Sequence, residues 1–489
     1  MLVRQTGVFL RANALVVILI SVIVLLPCFW HRRIEAGDLA SHTYNAWLAG
    51  LIKKQQAPGL YIQSSWNNIL GDYALEKLGL VFGYIVAERI VVGIAVLVFF
   101  WGAFALVSVA NGRPPWSLVP ALAMITYGWT FYSGFLNFYL SIGLAFFAVA
   151  LFWRGQGADL LLGAVVATFA LIAHPLGFLY LIGLSIYFRI GASLTGWRRW
   201  GLLGCAFLVV VGVSCYARHA RTEEWHTTNF FMMNGADQMI LFGKRYKTLA
   251  YLTALFCGFC FLHGVWRKET FGKVLSSSRS SLEMWSLFLF IAAAIPEVWW
   301  FPQYEMPFSF VVSRTTTVTA VLGLSVLGSV TPRQWHLAGL TILAILFFAW
   351  TYEDTKALNS MEWQEESMIR ALPYGRRVIE TIDLPKSSRT ASGQHILERA
   401  CIGKCFEYSN YEPSSKAFRI RVTQGSPIVT DSAEDSMRMQ GGSYIVRKQD
   451  LPMNQIYQCD SQNPLKLCIR ELFAGEENGR LNVAVPVTE

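Results

Sequence analysis

Long apolar runs limit this chain more than any other feature. They lie at about 12–30, 89–110, 116–132, 136–153, 159–174, 175–190, 200–217, 248–266, 282–300, 315–331 and 335–352. Each approaches the roughly 20 residues that cross a bilayer as a helix. A chain of 489 residues that is 54% hydrophobic, with a mean hydropathy of +0.40, cannot hide so many runs in a water-soluble core. The expectation is a mainly α, polytopic membrane protein of about eleven spans. The start, with its apolar run to Trp30 and then His31-Arg32-Arg33, lacks a small-residue cleavage site and reads as an uncleaved first span.

Charge divides the chain. Residues 1–352 carry 24 Lys/Arg against 13 Asp/Glu, and residues 353–489 carry 17 against 19. The basic excess thus belongs to the membrane part, where positive cytoplasmic loops account for it. No basic stripe marks a soluble segment, which argues against nucleic acid as a partner. Loop charges place the N-terminus in the cytoplasm, and an odd span count places the C-terminal part outside, in an inner (plasma) membrane protein.

Residues 1–352 therefore read as a transmembrane domain with a long first outer loop, 31–88. Within that loop, Ala40, Tyr44, Trp47, Leu48, Leu51 and Ile52 share one face of a helix over 40–54, the pattern of a juxtamembrane amphipathic helix lying on the bilayer. A second such helix fits 66–80. Residues 353–394 read as a helical stalk or linker. Residues 395–489 carry turn signals and strand-like segments at Phe418–Val422, Ser443–Val446 and Leu481–Val487, which suggests a small extracytoplasmic domain of α+β or mainly β class. Five cysteines lie in apolar runs. The other four, Cys401, Cys405, Cys459 and Cys468, lie in the end domain and are expected to form two disulfides, with the pairing open.

The chemistry-bearing residues gather at outer boundaries. Glu35-Ala-Gly-Asp38-Leu-Ala-Ser-His42 follows the first span. Asp38 and His42 are four apart and share a helix face. A carboxylate there can stay hydrated yet be tuned by low-dielectric surroundings, and can take a proton from a hydroxyl. The plainer reading is that Asp38 caps the helix that follows. Glu88-Arg89 opens the second run, where an interfacial salt bridge is the plain alternative. His174-Pro175 falls at a span end. Glu297, Tyr304, Glu305 and Arg314 form a second outer cluster, and an Arg314 guanidinium at headgroup depth suits a phosphate; its plain alternative is an interface anchor. The chain has no Walker A loop, no Gly-x-Ser-x-Gly elbow and no His-Glu-x-x-His.

In plan, residues 1–352 resemble the GT-C superfamily of integral-membrane glycosyltransferases. The resemblance rests on Gly37-Asp38 with His42, on Gln56-Ala57-Pro58-Gly59-Leu60-Tyr61 and on Ala87-Glu88-Arg89-Ile90. It implies that Asp38, or Glu35 in its place, is the catalytic base or holds a divalent metal (Mg or Mn), with His42 beside it. It also implies that Arg314, with His174, binds the donor's lipid phosphate. The first loop has no Asp-x-Asp or Glu-Asp pair and the chain has no Trp-Trp-Asp, which leaves the metal and the subfamily open. The expected activity is transfer of a sugar from a polyprenyl-phosphate donor to a hydroxyl of a glycan, lipid or protein acceptor at the cell envelope. The rivals are a transporter or flippase of lipid-linked glycans and a non-catalytic envelope assembly protein.

Overall fold

A computed structural model describes residues 2–220, 222–224, 233–267, 271–301, 304–383, 388–390, 392–460 and 462–479. The chain is 66% helical. Among the described residues, seven helices are long and apolar enough to cross a membrane: Arg11–Cys28, Tyr84–Asn111, Leu136–Trp153, Pro175–Ser193, Gly196–His219, Lys244–Trp266 and Gln334–Ala371. This is fewer than the eleven expected, for local reasons. Ala158–Ala173 and Val311–Leu327 are helical but short. The run 116–132 breaks into Val119–Thr126 and Trp129–Tyr132 around an extended Gly128. The run 282–300 belongs to a helix that stops at Ala294, just ahead of Pro296.

Burial separates the centre of the bundle from its rim. In Tyr84–Asn111 and Leu136–Trp153, 67% and 72% of the apolar window is buried, against 11% in Arg11–Cys28. The two central helices touch at backbone level. A Cβ on Gly102 would lie 2.4 Å from the Gly143 carbonyl oxygen, and one on Gly143 would lie 2.8 Å from the Phe99 backbone. Small residues permit such an approach, and dispersion between the close backbones holds it. Phe99 then stacks on Tyr139, with ring centroids 4.6 Å apart.

The helix Gln334–Ala371 has 38 residues, about 57 Å at the α-helical rise, nearly twice the roughly 30 Å of a bilayer core. The stalk expected over 353–394 ends early: the helix stops at Ala371, and Arg376–Thr381 is a central strand. That strand pairs in parallel with Cys405–Glu407 on one side and Met453–Gln458 on the other, and Leu467–Glu471 closes the sheet antiparallel to the latter. Charged residues at 376 and 377 conceal this strand in the sequence. Ile420–Val422 falls within the expected strand at 418–422, but it pairs with Leu60–Ile62 of the first loop. Ser443–Val446 forms only an isolated bridge, Ile445 to Glu477. Leu481–Val487 lies outside the described residues. The disulfides are Cys401–Cys405 and Cys459–Cys468.

The first loop and the end segment share one core. The juxtamembrane helix, Leu39–Lys53, is buried from Leu39 to Leu51, so it does not lie open on a bilayer surface as its pattern suggested. Its polar residues find partners inside instead: Thr43 with Glu88, Ser41 with Glu412, and Asn45 with Asn410. Tyr44, Trp47 and Leu48 pack with Ile396, Leu397 and Phe406.

At the centre of this junction sits Arg399, 2% exposed. Its guanidinium donates to both Glu362 oxygens (2.9 and 2.5 Å), to Glu88 (3.0 Å), to Glu35 (3.2 Å) and to the Ile34 carbonyl (2.9 Å). The fork geometry of arginine satisfies acceptors from three chain regions at once. Removing one partner of a buried ion pair leaves uncompensated charge, at about 3–5 kcal/mol. Arg399→Ala should therefore sharply lower the thermal midpoint of the purified full chain, or prevent a monodisperse product. The exposed Arg370→Ala should stay near wild type. Equal midpoints for all three proteins would show that the cluster does not hold the junction.

Candidate active site

Asp38 stands at the start of the juxtamembrane helix, held by tight backbone crossings. Its N–H donates to the Ser133 carbonyl at 3.1 Å. A Cβ on Gly37 would come within 2.5 Å of that carbonyl oxygen, and one on Gly134, where φ is +78°, would come within 2.4 Å of the Asp38 nitrogen. Only glycine fits at both places. The Asp38 carboxylate does not cap its helix. Among the described residues it makes no hydrogen bond, and its side chain is 29% exposed. Burial raises its pKa, while His395, His42 and Arg314 pull the other way.

His395 is the nearest of these cations, with Nε2 3.9 Å from Asp38 Oδ1. The C-terminal segment delivers it. Ser392 Oγ donates to the Tyr132 carbonyl, Trp129 Nε1 donates to the Arg389 carbonyl, and Arg389 pairs with Asp237. His395 itself adopts a left-handed φ of +70°. Its Nδ1 is 2.8 Å from Glu398 Oε1, and its ring lies against Tyr411. Burial pulls the imidazole pKa down, but Glu398 and Asp38 outweigh it and lift the group to about 9. The sequence reading missed His395, which carries no motif and falls at the edge of an apparent linker.

Arg314 also acts on Asp38 through its charge. Its Nε and Nη1 are buried and without a hydrogen-bond partner. The guanidinium carbon is 4.1 Å from the Phe135 ring centroid, 5.0 Å from that of Phe308 and 5.6 Å from that of Phe138. Aromatic faces stabilise the cation but leave its in-plane N–H donors unused. His174 packs on the same aromatic wall, beside Phe138 and Phe308. Its Nδ1 accepts from Leu176 N at 3.1 Å and so caps the next helix.

The remaining sequence candidates are placed elsewhere or committed to other partners. His42 bonds Asp72 through Nδ1 at 2.7 Å, and Asn137 supports the other Asp72 oxygen. Burial lowers the His42 pKa, but Asp72 more than compensates and lifts it to about 9, while Asp72 itself is held below its ordinary value. Glu35 and Glu88 belong to the Arg399 cluster, where burial pushes the Glu35 carboxyl well up. Arg89 donates to the His31 and Arg32 carbonyls. Glu297 accepts from Val312 N, Ser313 N and Ser313 Oγ, capping the helix that carries Arg314. Tyr304 is exposed and Glu305 pairs with Lys416. Asp38 thus feels the charges of His395 and Arg314, and Arg314 shares its aromatic wall with His174.

Among the described residues no group of three or more His, Cys, Asp or Glu could hold a divalent metal, and Asp38 faces the cations of His395 and Arg314.

The two raised histidines make stability depend on pH. Protonated His42 and His395 gain partners on folding, so their contribution is fully present below about pH 6.5 and is lost as pH rises through about 9. The thermal midpoint of the wild type should fall between those values, and His42→Gln should fall less steeply. A midpoint independent of pH in this window would contradict the pairing. No family model, curated protein or solved structure matches this chain.

Proposed function

We propose that this chain is a membrane glycosyltransferase of GT-C type. It would use a sugar carried on a polyprenyl phosphate and an acceptor hydroxyl on the extracytoplasmic side. The observation that carries the reading is the Asp38 carboxylate. It caps nothing, stays partly open, has a pKa raised by burial, and lies near an arginine with unused N–H donors.

In this reaction Asp38 takes the proton of the acceptor hydroxyl. The hydroxyl oxygen attacks the anomeric carbon, and the bond from that carbon to the phosphate oxygen breaks. The polyprenyl phosphate leaves with the bonding electrons, and Arg314 meets its growing negative charge. His395, oriented by Glu398, is a positioning residue: its positive charge favours the ionised Asp38 needed before proton transfer. His174 helps build the aromatic wall behind Arg314. The two disulfides suit an oxidising compartment, which supports an end domain outside the cytoplasm and an inner-membrane location with the N-terminus inside.

Sugar transfer from labelled polyprenyl-phosphate donors by the purified chain tests this. Asp38→Asn should reduce transfer about 10²- to 10⁴-fold, the usual range for a lost general base, while the protein remains folded. No transfer by wild type across a donor panel, or undiminished transfer by Asp38→Asn, would overturn the assignment.

A further inference from the structure

A separate cavity of about 580 Å³ opens where the membrane helix Tyr84–Asn111 meets the end segment. Its inner wall includes Arg33 and Arg399, both committed to buried glutamates. Its mouth holds Lys404 and Arg370. Lys404 forms no ion pair among the described residues, and it sits inside the short loop closed by Cys401–Cys405, which fixes its backbone. Arg370 rests over the Trp363 ring at 5.3 Å, with only a long 3.5 Å contact to Glu366. Glu366 is the one acid in the lining and is already held by Arg32 and Arg33.

The opposite lip is apolar. Phe82, Ile85 and Val86 line the cavity and are exposed. From Val86 an exposed stripe continues through Ile90 and Ile94, spaced four apart and therefore on one helix face. That helix is a candidate span, so the stripe runs from the cavity toward the bilayer core. A lysine without an ion pair among the described residues, an arginine with one long ion-pair contact and an apolar track leading into the membrane match the two ends of one molecule type.

We propose that this cavity seats an anionic membrane phospholipid, its phosphate at Lys404 and Arg370 and an acyl chain along Val86, Ile90 and Ile94. The lipid would bridge the end segment to the membrane helix, apart from the Asp38 site, whose residues do not line this cavity.

Native mass spectrometry of the full chain tests the proposal, with phosphatidylglycerol and phosphatidylcholine of identical acyl chains. Phosphatidylglycerol should bind more tightly. Lys404→Ala should weaken it about fivefold, the worth of one basic residue near a lipid surface, and should weaken phosphatidylcholine, whose choline offsets the phosphate charge, by less. Lys404→Glu should abolish the preference. Millimolar inorganic phosphate should not displace the bound lipid, because it cannot use the apolar track. Equal affinity for the two lipids, an unchanged preference in Lys404→Ala, or displacement by free phosphate would each overturn the proposal. Lys404 is half-buried and unpaired, so Lys404→Ala should keep the wild-type thermal midpoint and remain usable should Lys404→Glu misfold.

Discussion

The arrangement depends on a buried arginine. Arg399 ties together Glu35 from the loop after the first apolar helix, Glu88 from the start of the second and Glu362 from the long helix that ends at Ala371. Burying one cation and several carboxyls is costly unless each polar atom is met, and the arginine fork meets acceptors from all three regions. Arg33 extends the cluster to Glu366. Once this junction forms, the first loop and the end segment are no longer separate appendages. The backbone pairing of Leu60–Ile62 with Ile420–Val422 and the shared apolar core complete the joint.

The same joint explains how a site is assembled from distant parts of the chain. Asp38 comes from the first loop, Arg314 from a short apolar helix and His395 from the end segment. Each is positioned by a neighbour that does no chemistry itself: the Ser133–Gly134 crossing for Asp38, the Glu297 cap for Arg314's helix and Glu398 for His395. The nearby carboxylates Glu35, Glu88 and Glu398 are each held by a cationic partner. Asp38 differs in that its side chain stays 29% exposed and makes no hydrogen bond among the described residues.

Helical membrane architecture was legible because apolar runs of bilayer length have few other uses. The four cysteines of the end domain were legible as disulfides because their number and setting left few alternatives; the pairing needed coordinates. Asp38 and Arg314 stood out as polar groups at outer boundaries. Glu35, the alternative base, and Glu88, whose plain reading is an interfacial ion pair, show nothing of the Arg399 cluster in sequence, because burial by a segment more than 300 residues away leaves no local trace. His395 was invisible for the same reason, being placed by contacts of the 388–395 segment with the helical part. The helix over Leu39–Lys53 looked amphipathic because its polar residues suggest a wet face, whereas partners from the end segment satisfy them in the interior. Residues 376–381 were read as stalk because two arginines mask a strand that is central to the sheet.

In the proposed function Arg314 receives a lipid-borne phosphate while Asp38 takes the proton of the acceptor hydroxyl. The most direct measurement is an experimental structure of the full chain with a polyprenyl phosphate, the expected leaving group. Phosphate oxygens are expected on the Arg314 Nε and Nη1 donors, with Asp38 within reach of an acceptor hydroxyl. A phosphate bound away from Arg314, with those two donors still unpartnered, would contradict the proposed function.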